Sequence, residues 1–221
     1  MARPAHFTDD ALLQAAYDVF REQGMDATTA EVARRAGASE GTLFKRFQSK
    51  AGLFHAVLGH SQQLGDAWTD GLPAKVGAGR FSDQLETIAA EGIDFFRVVV
   101  PLHMVSGMSP SYARTAPEAW GKSHPALETR RKLEGYFEAE RRLGRVGKVD
   151  VEVLARTFMG ALYNFAAMEV MTAPYEPAPL PPEKFVRHLV AMLLGGIGGQ
   201  DARNATAPRR APAKARARTR R

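Results

Sequence analysis

Apolar residues recur at helical spacing along most of this chain, and no stretch shows the alternation typical of a strand. The first predicted helix spans residues 10–23. Its apolar face is formed by Leu12, Ala16, Val19 and Phe20, which recur at positions i, i+4, i+7 and i+8. The pattern therefore predicts an all-α fold.

Capping residues divide the following segment into short helices. Thr28 has Glu31 three residues later, which is the pattern of a capping box, and Gly37 favours the end of that helix. Ser39 and Ser49 are suited to begin a third and a fourth helix. Two short helices joined by a tight glycine turn are typical of a helix-turn-helix, whose second helix enters the major groove of DNA.

The remainder of the chain reads as longer helices. Periodicity predicts them at residues 81–100, 127–143, 151–171 and 182–197, with Pro101 ending or kinking the first. We predict three parts: a three-helix helix-turn-helix domain at residues 1–50, a larger helical domain for ligand binding and dimerisation at 51–199, and a disordered basic tail at 200–221.

The last two predicted helices, 151–171 and 182–197, are apolar on more than one face. A helix of that kind must be covered on two sides, by its own domain and by something else. A second copy of the chain is the simplest cover, so we expect a homodimer through these two helices.

Composition narrows the function classes. The chain lacks cysteine, a signal-peptide pattern and any run of 18 apolar residues, so the expected protein is cytoplasmic, with no disulfide and no membrane span. The net charge of +6 comes almost wholly from the tail, which holds eight Lys/Arg and one acidic residue, Asp201. The tail is interpreted either as an arm that adds nonspecific DNA affinity or as a solvated extension.

Signatures of catalysis and metal binding are missing from the sequence. Residues 195–199 are rich in glycine but follow no strand, as a dinucleotide-binding loop would. His55 and His60 are five residues apart, which does not place two ligands on one helical face. We expect neither a cofactor nor a metal site nor an enzyme.

The first quarter of the chain resembles the DNA-binding domain of the tetracycline-repressor (TetR) family. The resemblance is carried by AAYDVFREQG, the pair Thr28-Thr29, EVARRAG, SEGTLFKRF and SKAGLFHAVL. It implies a regulator, most often a repressor, that binds double-stranded operator DNA as a homodimer. By position, Thr29 and Lys50 resemble the phosphate contacts of the family, whereas Thr42 and Arg46 correspond to positions that meet bases.

The predicted DNA-binding residues are Thr28, Thr29, Ser39, Gly41, Thr42, Phe44, Lys45, Arg46 and Lys50. Two positions depart from the family pattern. Phe44 stands where many members have a phosphate-contacting tyrosine, so only an apolar contact is expected from it. Ala30 offers no hydrogen bond where some members read a base, and the operator sequence cannot be transferred from relatives.

The resemblance also implies a cavity for a small, partly apolar effector in the larger domain. The candidate lining residues are Phe95, Phe96, His103, Met104, Met108, Trp120, Phe137, Phe158 and Tyr163. Each of them is also a plausible core residue. Two other functions remain open at this point: a helical small-molecule-binding protein or enzyme that keeps the N-terminal module as a scaffold, and an architectural protein that binds DNA through its tail without sequence preference.

Overall fold

The computed structural model describes residues 8–107, 124–176 and 178–195, and these parts are helical without any strand. The predicted all-α fold is confirmed. The helices are α1 (Asp9–Gln23), α2 (Thr29–Ala36), α3 (Glu40–Phe47), α4 (Lys50–Asp70), α5 (Leu72–Lys75), α6 (Phe81–Gly107), α7 (Pro125–Arg142), α8 (Val151–Thr172) and α9 (Pro182–Gly195). In the described ranges, no helix is both long and apolar enough to cross a bilayer.

The predicted caps begin the short N-terminal helices. The hydroxyl of Thr28 accepts the backbone N–H of Glu31 at 3.1 Å, and the hydroxyl of Ser49 accepts that of Gly52 at 2.9 Å. Gly37 ends α2 in the left-handed conformation with φ of 68°, which a residue with a side chain seldom adopts. This glycine lets α3 turn away from α2 within two residues.

One buried apolar cluster holds α1 to α4 together. Its members are Leu12, Leu13, Ala16, Val19, Phe20, Ala27, Val32, Ala33, Leu43, Leu53, Phe54, Val57, Leu58 and Leu102. The first turns of α4 thus belong to the N-terminal core, although the predicted domain boundary at residue 50 coincides with the start of that helix. Leu102 comes from α6, so the second domain also contributes to this core.

A second, larger cluster joins the end of α4 to α6, α7, α8 and α9. Trp68 of α4 belongs to the same cluster as Phe96 of α6. The indole N–H of Trp68 donates to the carbonyl of Ile88 at 2.9 Å. Aromatic rings continue across the cluster to Phe137 of α7 and Phe158 of α8, which meet edge to face at 5.8 Å. These contacts place α6 and α8 at the centre of the larger domain.

Pro101 was predicted to end or kink a helix, and the first alternative is wrong because Pro101 lies inside α6. Proline removes one backbone N–H from the ladder and crowds the preceding turn. The helix nevertheless continues because Leu102, the residue after the proline, is fully buried in the N-terminal cluster. The hydroxyl of Tyr17 in α1 also donates to the carbonyl of Val98 at 3.1 Å, which attaches this part of α6 to the first domain.

A buried acid fastens the end of α7 to the turn between α5 and α6. The side chain of Glu140 is completely buried. One carboxylate oxygen accepts the backbone N–H of Gly77 at 2.9 Å, and the other lies 3.0 Å from Nε of Arg145. The same guanidinium donates to the carbonyl of Ala78 at 3.2 Å and lies 5.6 Å from the ring centre of Phe81.

Candidate DNA-binding surface and effector cavity

Helix α3 has one anchored face and one exposed face. Leu43, with 1% of its surface exposed, fixes the helix in the N-terminal core. Gly41, Lys45 and Arg46 are exposed on the surface of α3, together with the ring of Phe44, which is 49% exposed. An exposed face of small, polar and cationic residues on the second helix of a helix-turn-helix is suited to the major groove.

Two of the predicted contact residues, Thr28 and Ser39, also cap the starts of helices. Thr28 caps α2, and the hydroxyl of Ser39 accepts the backbone N–H of Thr42 at 3.2 Å to cap α3. The hydroxyls of Ser39 and Thr42 are 2.8 Å apart and share a hydrogen bond. These side chains therefore hold the N-terminus of α3 in place at the position where it would approach DNA.

The predicted phosphate and base contacts have intramolecular partners. The hydroxyl of Thr29 donates to the carboxylate of Glu40 at 2.5 Å. Arg46 forms an ion pair with Asp9 of α1, and the ammonium of Lys50 donates to the carbonyl of Met25. The partners come from α1, the turn after it and the start of α3, which the packing of the N-terminal core brings together.

Two further arginines on α2 are paired with acids. Arg34 contacts Glu31 on the same helix at 2.6 Å, and Arg35 contacts Glu22 of α1 at 2.7 Å. The arginine hydrogen bonds hold the pKa of each carboxyl below its ordinary value. Sequence reasoning missed the second pair because its members are far apart in the chain.

Residues 12–57 match the family described as bacterial regulatory proteins, tetR family. This part of the chain is similar to the DNA-binding domain of TetR-family proteins. The matched range begins in α1 and ends in α4, and it contains every predicted DNA-binding residue. The resemblance predicted from the sequence is confirmed.

Two curated TetR-like relatives align with part of the chain. The transcriptional repressor ComR of Escherichia coli K12 is 33% identical over 98 residues, which are 44% of this chain and 43% of ComR. The transcriptional regulator BetI of Klebsiella pneumoniae 342 is 39% identical over 85 residues, or 38% of this chain and 43% of BetI. The chain thus spans less than half the length of the curated relatives that it matches.

Solved structures extend the likeness to the larger domain, at the level of fold. A TetR-family protein from Mesorhizobium loti is 21% identical and superposes with a TM-score of 0.68 over 88% of this chain and 98% of its own. FadR from Bacillus subtilis, solved in complex with stearoyl-CoA, is 14% identical with a TM-score of 0.64 over 86% of this chain and all of its own. The helices outside the TetR-family DNA-binding domain therefore share the fold of these proteins.

Next to the TetR-family domain, the larger domain contains a cavity of about 710 Å³ between α4, α6, α7 and α8. Phe95, Phe96, Val99 and His103 of α6 form one wall. The opposite wall is one face of α8. It consists of Arg156, Met159, Gly160 and Tyr163, whose spacing of three and four residues could have revealed it in the sequence.

Polar residues also line the cavity. They are Gln63, His103, His124, Glu128, Thr129 and Arg156. Burial, and to a lesser extent the neighbouring His124, lowers the pKa of His103. Arg156 forms an ion pair with Glu152 at 2.8 Å. The cavity thus combines aromatic walls with hydrogen-bonding groups, as small-molecule sites commonly do.

The predicted ligand-binding residues divide into three groups. Phe95, Phe96, His103 and Tyr163 line the cavity. Phe137 and Phe158 lie fully buried in the core of the larger domain, and Met104 packs against that core instead of lining the cavity. Met108 and Trp120 lie outside the described residues, as do residues 196–197 of the predicted last helix and the basic tail.

The two C-terminal helices, α8 and α9, and the segment between them expose large apolar side chains. They are Val153, Met168, Val170, Met171, Tyr175, Leu180, Met192 and Leu194. Tyr175, between α8 and α9, is 84% exposed. Apolar side chains concentrated in this way mark a contact surface.

Proposed function

We propose that this protein is a cytoplasmic, sequence-specific DNA-binding regulator of transcription that acts as a repressor. The observation that carries the proposal is the exposed face of α3 within a domain that matches the tetR family. Arg46 reads a base, where a paired contact to guanine contributes about 1–3 kcal/mol of discrimination. Thr29 and Lys50 hold phosphates and set the register of the helix in the groove.

The regulator works as a homodimer through α8 and α9. The exposed methionines of these helices, Met168, Met171 and Met192, support this arrangement because water leaves apolar surface when two copies associate. A twofold dimer places its two α3 helices in successive major grooves, about 34–36 Å apart, and so binds a palindromic operator.

An effector in the cavity controls DNA binding. Helices α4 and α6 support this step, since each lines the cavity and also enters the N-terminal core: Gly59 adjoins the buried Leu58, and Val99 and His103 flank the buried Leu102. A ligand that binds one dimer geometry more tightly than the other shifts the population toward it. The fold is shared with FadR from Bacillus subtilis, which holds stearoyl-CoA. We infer a partly apolar effector here as well.

The proposal is tested by selecting bound fragments from random double-stranded DNA with the purified chain at moderate salt. We expect an enriched palindrome. Binding without any preferred sequence would instead indicate an architectural protein, and no binding together with turnover of a small molecule would indicate an enzyme.

The dimer is tested by sedimentation of Met171→Lys, which places a charge on the proposed interface. The matched control is Leu143→Lys, because Leu143 is also an exposed apolar residue but lies outside α8 and α9. We expect the first variant to dissociate and the control to remain dimeric. Equal behaviour of the two variants would place the interface elsewhere.

A further inference from the structure

The ion pair between Asp9 and Arg46 joins the first helix of the N-terminal domain to the helix that faces DNA. The two residues are 37 positions apart, and nothing in the matched motif requires an acid at position 9, which precedes the matched range. The carboxylate of Asp9 is 69% exposed, so a pair at this site contributes little to folding stability. We therefore expect the Asp9–Arg46 ion pair to affect DNA recognition more than folding stability.

The position of Asp9 is set by the core, although its side chain is exposed. It is the first residue of α1, and Leu12, Leu13 and Ala16 follow it by three, four and seven residues on the buried face of that helix. The carboxylate of Asp9 therefore lies on the same side of α1 as these buried residues, just outside the core and next to α3. Arg46 is three residues after Leu43, which fixes α3 in the same core.

An arginine can hold a carboxylate and a guanine at the same time. Its planar guanidinium carries five N–H donors, and guanine O6 and N7 need only two of them. A long, flexible side chain otherwise loses rotamer freedom when it binds, and this loss opposes binding. A carboxylate that already orients the guanidinium reduces that loss.

We propose that Asp9 is a positioning residue for base recognition, which orients the guanidinium of Arg46 for its base contact. This inference rests on the proposed function, because it requires sequence-specific DNA binding. An unpaired acid on a surface that approaches DNA would weaken binding, because it repels phosphate. The proposed role in specificity explains why an acid is nevertheless present at position 9.

Asp10 provides a matched control. It is the next residue of α1, is also acidic and exposed, and lies in the same first turn. Its carboxylate faces Nδ1 of His60 on α4 at 4.0 Å instead of Arg46. Asp9→Asn and Asp10→Asn therefore remove the same charge from the same helix start, and they change the helix dipole and the nonspecific attraction to DNA alike.

The experiment compares wild type, Arg46→Ala, Asp9→Asn and Asp10→Asn in selection from random DNA and in affinity measurements on the selected operator. Arg46→Ala identifies the base positions that depend on Arg46. We expect Asp9→Asn to lower discrimination at those same positions about tenfold, within the range of one paired base contact. Asp10→Asn should keep wild-type discrimination, and both acidic variants should bind nonspecific DNA equally and melt at similar temperatures.

Equal discrimination by Asp9→Asn and Asp10→Asn would overturn the positioning role while leaving the proposed function intact. Failure of the wild type to select any sequence would overturn the proposed function, and this inference with it. Loss of preference at all base positions in Asp9→Asn would also overturn the inference, since the role is confined to the positions that Arg46 reads.

Discussion

Arg46 and Arg145 each pair with a carboxylate, but in opposite surroundings. The partner of Arg46 in the N-terminal domain is exposed Asp9, which water and DNA can reach. The partner of Arg145 in the larger domain is Glu140, which has no exposed surface. A buried pair is costly to break because an uncompensated charge remains, whereas an exposed pair exchanges readily. We therefore expect the first pair to serve recognition, whereas the second fastens the end of α7 to the turn between α5 and α6.

The largest expected effect is that of Arg145→Ala on stability. The variant leaves the carboxylate of Glu140 buried without its cationic partner, at a cost of about 3–5 kcal/mol. Urea unfolding measures the loss. Arg142→Ala is the control, because Arg142 is 76% exposed and its removal should change stability by less than about 0.5 kcal/mol. Similar losses in the two variants would mean that the buried pair has no special role.

Leu102→Ala tests whether the two domains share a core. Removing this buried side chain of α6 should cost about 2–5 kcal/mol. Because Leu102 belongs to the N-terminal cluster, hydrogen exchange should accelerate in α1 and α4 as well as in α6. The control is Leu127→Ala on the surface of α7. Faster exchange confined to α6 would contradict the shared core.

Arg46→Ala should leave stability nearly unchanged and weaken operator binding by about 1–3 kcal/mol, since a paired base contact is lost. Affinities for operator and for random DNA, measured at one salt concentration, separate the base contact from simple charge. Arg34→Ala is the control, because Arg34 is also exposed and paired with an acid but lies on α2. An equal loss of affinity for operator and for random DNA would show that Arg46 does not read a base.

The smallest effect concerns the pH dependence of stability. Burial lowers the pKa of His103, so the unfolded chain binds a proton more readily than the folded one below the ordinary value of 6.5. Stability therefore falls as the pH drops through 6.5 toward the folded pKa. His103→Gln should reduce this fall only in part, because burial lowers the pKa of His55 as well. Unfolding curves at several pH values measure the slope, and an unchanged slope would mean that His103 contributes nothing.

The N-terminal domain was the part most open to prediction, because its signals are local. Each helix from α2 to α4 is capped by a hydroxyl residue, which accepts a hydrogen bond from the backbone N–H three residues later; the caps are Thr28, Ser39 and Ser49. Gly37 ends α2 at a position that requires the left-handed conformation. Such features depend on neighbours in sequence, so the helix boundaries and the exposed face of α3 could be predicted.

The features missed by sequence reasoning all depend on packing between distant segments. Glu140 looks like one more charge on a polar helix, and its burial follows only from how α7 meets the turn after α5. The Asp9–Arg46 pair likewise requires α1 and α3 to be in place. Phe137 and Phe158 resemble the cavity residues in type and spacing, and only the arrangement of α6, α7 and α8 separates core from cavity.

The burial of Leu102 among α1 to α4 also bears on how such a protein can be recombined. The core of the N-terminal domain is discontinuous in sequence, because it includes a residue of α6. A fragment that ends after α4 would lack that residue. If the N-terminal segments of two proteins of this fold were exchanged, the four helices α1 to α4 would come from one protein. The residue at position 102 that packs against them would come from the other. Chimeras that transplant operator preference should therefore carry the matching α6 segment along with the first four helices.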